Sequence, residues 1–149
     1  MREKKKPGHV AIAAVIIGLI ALSSVFAAGR SDEDIVKELI TVRTDTLSGF
    51  YAGEIERKDA METINSIEGD HLLKEDLQNI DLYFRTDIEQ VKEYSFEKIT
   101  VTEAEAEMIC ADVTMKWKAE GLDGEESFTV TYDVICEKDG DSYKLVQFF

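Results

Sequence analysis

Two Asp-Gly pairs divide the last third of the chain into strands of alternating apolar and polar residues. Asp123–Gly124 and Asp139–Gly140 are typical of tight hairpin turns, because Asp and Gly tolerate positive φ. Tyr94–Val101 is the predicted first strand, and Thr102–Glu105 is the predicted turn that follows it. The alternation therefore predicts an antiparallel meander of about four strands, which constrains the fold more than any other feature.

Strand register follows if the two Asp-Gly pairs occupy the turn centres. Val113 then faces Val134, and Val134 faces Leu145 on the last strand. Slipping the register by one residue would bring charged side chains onto the apolar face, so the alternation specifies it. The predicted apolar face contains Val113, Met115, Trp117, Val130, Tyr132, Val134, Leu145 and Phe149.

The phase of the apolar residues changes near the start of the second strand, predicted to begin at Ala106. Apolar residues lie at even positions up to Met108 and at odd positions from Ile109 onward. We therefore expect a β-bulge near Met108–Ala111, which would bend the sheet.

The residues before the meander follow a helical period. Ser31 followed by three acids is a typical helix start, with a hydroxyl cap and a favourable charge at the positive end of the helix dipole. Gly53 is the expected end of this helix, a second helix is predicted near Glu56–Asn65, and Asp70 is the expected cap of a third. Apolar stripes support the first and third helices: Ile35, Val36, Leu39, Ile40, Leu47, Phe50 and Tyr51, then Leu73, Leu77, Ile80, Phe84, Ile88 and Val91. Helices packed on one face of a bent antiparallel meander define an α+β domain.

Two stretches carry a resemblance to a known family. GFYAGEIERKDAMETI (residues 49–64) after an amphipathic helix, and SYKLVQFF (residues 142–149) after a long bent hairpin, resemble the NTF2-like, cystatin-like cone. The chain is most similar to small extracytoplasmic NTF2-like domains that follow one membrane anchor in Gram-positive bacteria. The resemblance covers residues 31–149 and implies a cone whose interior, in some relatives, holds a ligand or a catalytic acid or His.

The N-terminal region predicts a membrane segment. Residues 1–9 are basic, and residues 10–28 form a run of nineteen uncharged, mostly apolar residues. As a helix this run spans about 28 Å, close to the thickness of a bilayer core. The flanking charges predict residues 1–9 in the cytoplasm, residues 10–28 as a transmembrane helix or signal-anchor, and residues 31–149 outside. Cleavage after Ala27 is the alternative, and it would give a secreted domain.

The charge of the domain excludes several classes of partner. Residues 31–149 hold 12 Lys and Arg against 30 Asp and Glu, a formal charge of −18. Nucleic acids and anionic lipid surfaces require basic contacts, so we expect neither as a partner. The acidity fits a well-solvated exterior or a surface for a basic partner.

The strand positions that face the predicted cone offer no catalytic group. Asp112 and Asp133 fall on the opposite face, and no catalytic residue, cofactor or metal site is predicted. Four residues could line a pocket in the cone or simply pack beneath the helices: Met115, Trp117, Tyr132 and Phe149. Cys110 and Cys136 could form a disulfide, if a bulge turns Cys110 toward the apolar face, or remain two thiols.

The predicted function is a non-enzymatic, membrane-anchored extracytoplasmic accessory module that binds a protein partner at the cell surface. The anchor, the acidic surface and the absence of a catalytic motif support it. A small-molecule-binding or enzymatic domain that uses the cone interior is the alternative.

Overall fold

Three helices pack on an antiparallel sheet of four strands, which are neighbours in chain order. The computed structural model describes residues 29–82 and 90–149. The three helices and the four-strand antiparallel sheet confirm the predicted α+β class and the predicted meander. The elements are α1 (Asp32–Tyr51), α2 (Arg57–Ile67), α3 (Asp70–Leu82), β1 (Gln90–Glu105), β2 (Met108–Gly121), β3 (Gly124–Asp139) and β4 (Ser142–Phe148).

The start and end of α1 agree with the sequence. Ser31 caps the helix, and its Oγ accepts a hydrogen bond of 3.2 Å from the Asp34 amide. The helix ends at Tyr51, and Gly53 follows with φ +75°, a conformation that favours glycine. Gly49 permits a close contact with the returning chain, since a Cβ there would lie 2.7 Å from Ile55 Cδ1.

The predicted third helix is correct at its start and wrong at its end. It begins at Asp70, whose φ of +51° Asp tolerates better than most residues, and its described part extends to Leu82. Val91, assigned to the helical stripe, lies in β1, because one apolar residue fits both periods where a helix gives way to a strand. Phe84 and Ile88 lie outside the described residues.

Both hairpin turns lie one residue away from their predicted centres. Gly121 pairs with Gly124, so the first turn is centred on Leu122–Asp123. The second is centred on Gly140–Asp141, with Gly140 at φ +65°. Gly140 is thus the first central residue, where a type II′ turn takes glycine.

The predicted strand register is therefore wrong, although the faces predicted for β2 and β3 are right. Val113 pairs with Tyr132 rather than Val134, a shift of two residues. Because side chains alternate with a period of two, such a shift leaves each side chain on its predicted face. The buried odd positions of β2 accordingly form the floor of the core: Ile109, Ala111, Val113, Met115, Trp117 and Ala119.

The predicted bulge lies at the expected place in the sheet, but its extra residue is in β1 rather than in β2. β2 pairs with β3 without interruption, whereas β1 accommodates extra residues at Lys92, Glu97 and Thr102. The extra residue Thr102 lies opposite Cys110 and Ala111, where the bulge was predicted in β2. A change of phase requires an extra residue in one of two paired strands, and the sequence alone does not say which. The segment Thr102–Glu105 completes β1, and the turn is Ala106–Glu107.

An extra residue in β4 changes which C-terminal aromatic faces the helices. Leu145 pairs with Cys136 and Phe148 with Val134, which leaves Val146 as the additional residue. The predicted pairs Val134–Leu145 and Val130–Phe149 are therefore wrong. Phe148 points into the domain, whereas Phe149 is 74% exposed and pairs with Asp133 through backbone hydrogen bonds.

The predicted membrane segment, residues 10–28, lies outside the described residues. Within residues 29–82 and 90–149, the structure contains no helix with the length and apolarity needed to cross a bilayer.

Candidate functional site

Two acids and one arginine form a buried cluster between the helices and the sheet. Glu68, which follows α2, is fully buried, and Asp76 of α3 is 3% exposed. Arg43 of α1 contacts both, with Nε lying 3.0 Å from Glu68 Oε1 and 2.8 Å from Asp76 Oδ2. A further contact of 2.7 Å joins the Arg43 guanidinium to Asp76. We call these three residues the acid–arginine cluster.

One carboxyl of the acid–arginine cluster holds a proton near neutral pH. Burial, then repulsion from Asp76, raises the pKa of Glu68 to about 9, although Arg43 opposes the shift. Glu68 Oε2 is buried and accepts no hydrogen bond from any described residue. A protonated Glu68 can donate to Asp76, so the three groups carry one positive and one negative charge. The buried cluster is then neutral, which avoids the cost of an unpaired buried charge.

Four aromatic rings line the helix-facing side of the sheet and end at this cluster. Tyr94 lies 5.6 Å from Trp117, Trp117 lies 6.2 Å from Tyr132, and Tyr132 stacks on Phe148 at 4.2 Å between ring centroids. The Arg43 guanidinium lies 5.0 Å from the centre of the Phe148 ring, within the range of a cation–π contact. Tyr94, Trp117, Tyr132 and Phe148 are referred to below as the aromatic row.

Tyr94 joins the aromatic row to α1. Its hydroxyl donates a hydrogen bond of 2.7 Å to Asp45 Oδ1. Burial, followed by the Asp45 carboxylate, raises the pKa of Tyr94 above its ordinary value. Tyr94 therefore stays protonated and serves as a donor that ties the helix to the first strand.

The four predicted pocket residues do not all lie together. Trp117 and Tyr132 are neighbours in the aromatic row, and Met115 is fully buried in the core. Phe149 lies apart from them and is mostly exposed, whereas Phe148 faces the helices and stacks on Tyr132. The residue added to β4 causes this exchange, and the alternation of the sequence gives no sign of it.

The cysteines are two free thiols in the structure. Cys136 pairs with Ile109 rather than Ala111, and Cys110 pairs with Ile135, so the two side chains point to opposite faces. Burial raises the pKa of Cys136 to about 12 and also raises that of Cys110. Both thiols are therefore protonated at neutral pH, and neither is an activated nucleophile.

No described group of three or more His, Cys, Asp or Glu side chains could hold a metal ion. His71 of α3 is 88% exposed and lies 3.8 Å from Glu75. His9 lies outside the described residues.

The acid–arginine cluster was not predicted from the sequence, because only strand positions were considered as sources of inward-facing acids. Asp76 lies on α3, and Glu68 lies between α2 and α3. A signal was present, since Asp76 lies four residues after Leu72 and four before Ile80, on the buried line of α3. A charged residue on an apolar helical stripe needs a buried partner of opposite charge.

Removing Phe148 and Phe149 is expected to lower the free energy of unfolding by about 2 kcal/mol. The truncation eliminates the stack on Tyr132, the contact with Arg43 and two backbone hydrogen bonds to Asp133. Urea unfolding measures the loss. The matched control is Phe149→Ala, which alters an exposed ring and should change stability by less than about 0.5 kcal/mol. An unchanged midpoint for the truncated chain would contradict the prediction.

No family model and no curated protein matches the chain. Among solved structures, the intermembrane space region of the chloroplast protein ARC6 is similar at 11% identity and a TM-score of 0.49, over 81% of this chain and 97% of that one. A de novo designed β-sheet protein is similar at 16% identity and a TM-score of 0.40, over 78% and 86% respectively.

Proposed function

We propose that this chain is a non-enzymatic interaction module of the NTF2-like, cystatin-like type that binds a protein partner outside the cytoplasm. Residues 10–28 hold it at the membrane, with residues 1–9 in the cytoplasm and residues 31–149 at the cell surface. Secretion after cleavage near Ala27 is the alternative, and it exposes the same domain. The basic flank of residues 10–28 and the formal charge of −18 on the domain support this proposal.

The observation that carries the proposal is an exposed hairpin end. All ten residues from 120 to 129 are exposed, so the helices do not cover the paired ends of β2 and β3. Leu122 at the turn is 96% exposed, and Phe128 is 40% exposed. Single exposed apolar residues are ordinary. Two of them on one projecting, acidic hairpin form a surface suited to a protein partner.

The interior favours a structural role over catalysis or ligand binding. The charged groups beneath the helices are paired with one another, since Arg43 contacts both Glu68 and Asp76. The rings of the aromatic row contact each other, and Met115 has no exposed surface. A ligand that entered here would have to displace packed side chains.

Site-specific photocrosslinking in the producing cells tests the proposal. A photoreactive side chain at position 122 of the full chain should give one discrete protein adduct, in the membrane fraction if the leader is retained and in the medium if it is cleaved. The matched control is position 71, where His71 is 88% exposed but lies on α3. Adducts of equal yield at both positions, or none at position 122, would refute the proposal.

A further inference from the structure

The two edge strands of the sheet, β1 and β4, are protected against pairing with another strand. Along β1, three extra residues interrupt the edge, and the strand carries Lys92 and Lys98. Bulges and lysines are common means of blocking an edge. The edge of β4 is partly covered, because Glu68 forms a parallel bridge to Leu145 and the Gly69 amide donates to the Leu145 carbonyl at 3.0 Å.

No described residue protects the first half of β3 in this way. β4 has only seven residues and pairs with β3 from Asp139 to Val134, after which Asp133 bonds to Phe149. Residues 124–132 pair with β2 on one side and with no described residue on the other. This stretch contains no bulge, proline or lysine. We call it the open edge.

The direction of the free backbone groups follows from the last bonds of β4. Asp133 donates to the Phe149 carbonyl at 2.8 Å and accepts from the Phe149 amide at 3.3 Å, so its N–H and C=O point away from β2. In an antiparallel ladder this direction repeats at every second residue. Thr131, Thr129 and Ser127 therefore present their N–H and C=O groups along the open edge, in line for strand addition.

Charge decides what kind of strand can bind. Residues 124–133 contain Glu125, Glu126 and Asp133 and no Lys or Arg. Glu125 pairs with Lys118 at 3.0 Å, whereas Glu126 and Asp133 form no ion pair with any described residue. A second copy of the chain would place like charges on opposite strands, which destabilises pairing. A basic strand would neutralise them.

We propose that the open edge of β3 binds an extended, basic segment of a protein partner by strand addition. This inference rests on the proposed function and specifies its partner. The segment has lysine or arginine toward its ends, near Glu126 and Asp133. Every second residue between them is apolar and faces Phe128, Val130 and Tyr132, whose side chains share one face of β3.

The direct test uses the full chain in detergent and the nonapeptide acetyl-KVTVTVTKK-amide. Hydrogen exchange followed by NMR should slow at least tenfold at the amides of Ser127, Thr129 and Thr131 when the peptide saturates. The amides of Phe128 and Val130 already face β2 and should change little. A matched peptide with glutamate in place of each lysine should bind at least tenfold more weakly. Equal binding of both peptides, or no slowing at the three amides, would overturn the inference.

Two variants separate backbone pairing from charge. Thr129→Pro removes one outward N–H while sparing the ladder to β2, and it should weaken the basic peptide about tenfold. Thr129→Val keeps the N–H and should bind normally. If thermal unfolding shows that the proline variant is unfolded, the double variant Glu126→Lys/Asp133→Lys decides, because it should reverse the preference between the two peptides.

The outcomes distinguish this inference from the proposed function. An adduct at position 122 together with failure of the basic peptide would reject the open edge as the binding site and leave the interaction module standing. Peptide binding without any adduct at position 122 would reject the proposed function and leave the open edge as a peptide-binding site.

Discussion

Arg43→Met is expected to lower the free energy of unfolding by about 3–5 kcal/mol, because it leaves two buried acids without their cation. The Arg43 side chain is only 16% exposed, and the Glu68 side chain has no exposed surface. Methionine is long enough to fill much of the same space, so the loss reflects the missing charge and hydrogen bonds more than a cavity. Urea unfolding at pH 7 measures the difference.

The matched control is Arg57→Met, since Arg57 also pairs with an acid, Asp81, but on the surface. The two side chains are 54% and 50% exposed, and removal of such a pair should cost less than about 1 kcal/mol. Combining Arg43→Met with Glu68→Gln and Asp76→Leu should recover part of the lost stability, because no buried charge is then unpaired. Equal losses for the two arginine variants would show that the acid–arginine cluster is not buried as described.

The faces of the sheet could be predicted from the sequence, whereas the pairs across it could not. Inward and outward positions depend on whether a residue number is odd or even, and an error of two residues in the register leaves that unchanged. Val113 thus lies on the predicted face while pairing with Tyr132. The exact pairs depend on where each turn is centred, and Asp-Gly is compatible with more than one position within a turn.

The acid–arginine cluster depends on contacts between distant segments, which the alternation of apolar and polar residues along a strand does not predict. Arg43, Glu68 and Asp76 come from three separate segments, and only the packing of the helices brings them together. Phe148 joins them because β4 holds one extra residue, which brings Phe148 rather than Phe149 onto the helix-facing side. The position of such a residue is set by how two strands fit together, so one strand read alone does not reveal it.

The stability of the domain is expected to fall as the pH rises from about 5 to 9. Glu68 has an ordinary pKa of 4.5, and burial raises its pKa to about 9 in the folded domain. Between these values the folded state keeps a proton that the unfolded state has released. Each unit of pH therefore removes up to about 1.4 kcal/mol, and the dependence ends below the unfolded pKa and above the folded one. Urea unfolding at several pH values measures the slope.

Glu68→Gln isolates this contribution from the repulsion among surface acids, which also increases with pH. The amide keeps the size of a protonated carboxyl and can donate to Asp76, but it cannot ionise. The variant should match the original chain near pH 5, exceed its stability near pH 9 and show a shallower slope. Glu62→Gln is the control, because that side chain is 66% exposed and its replacement should leave the slope unchanged. Parallel curves for the original chain and Glu68→Gln would mean that Glu68 is ionised in the folded domain, and the neutral acid–arginine cluster would then be wrong.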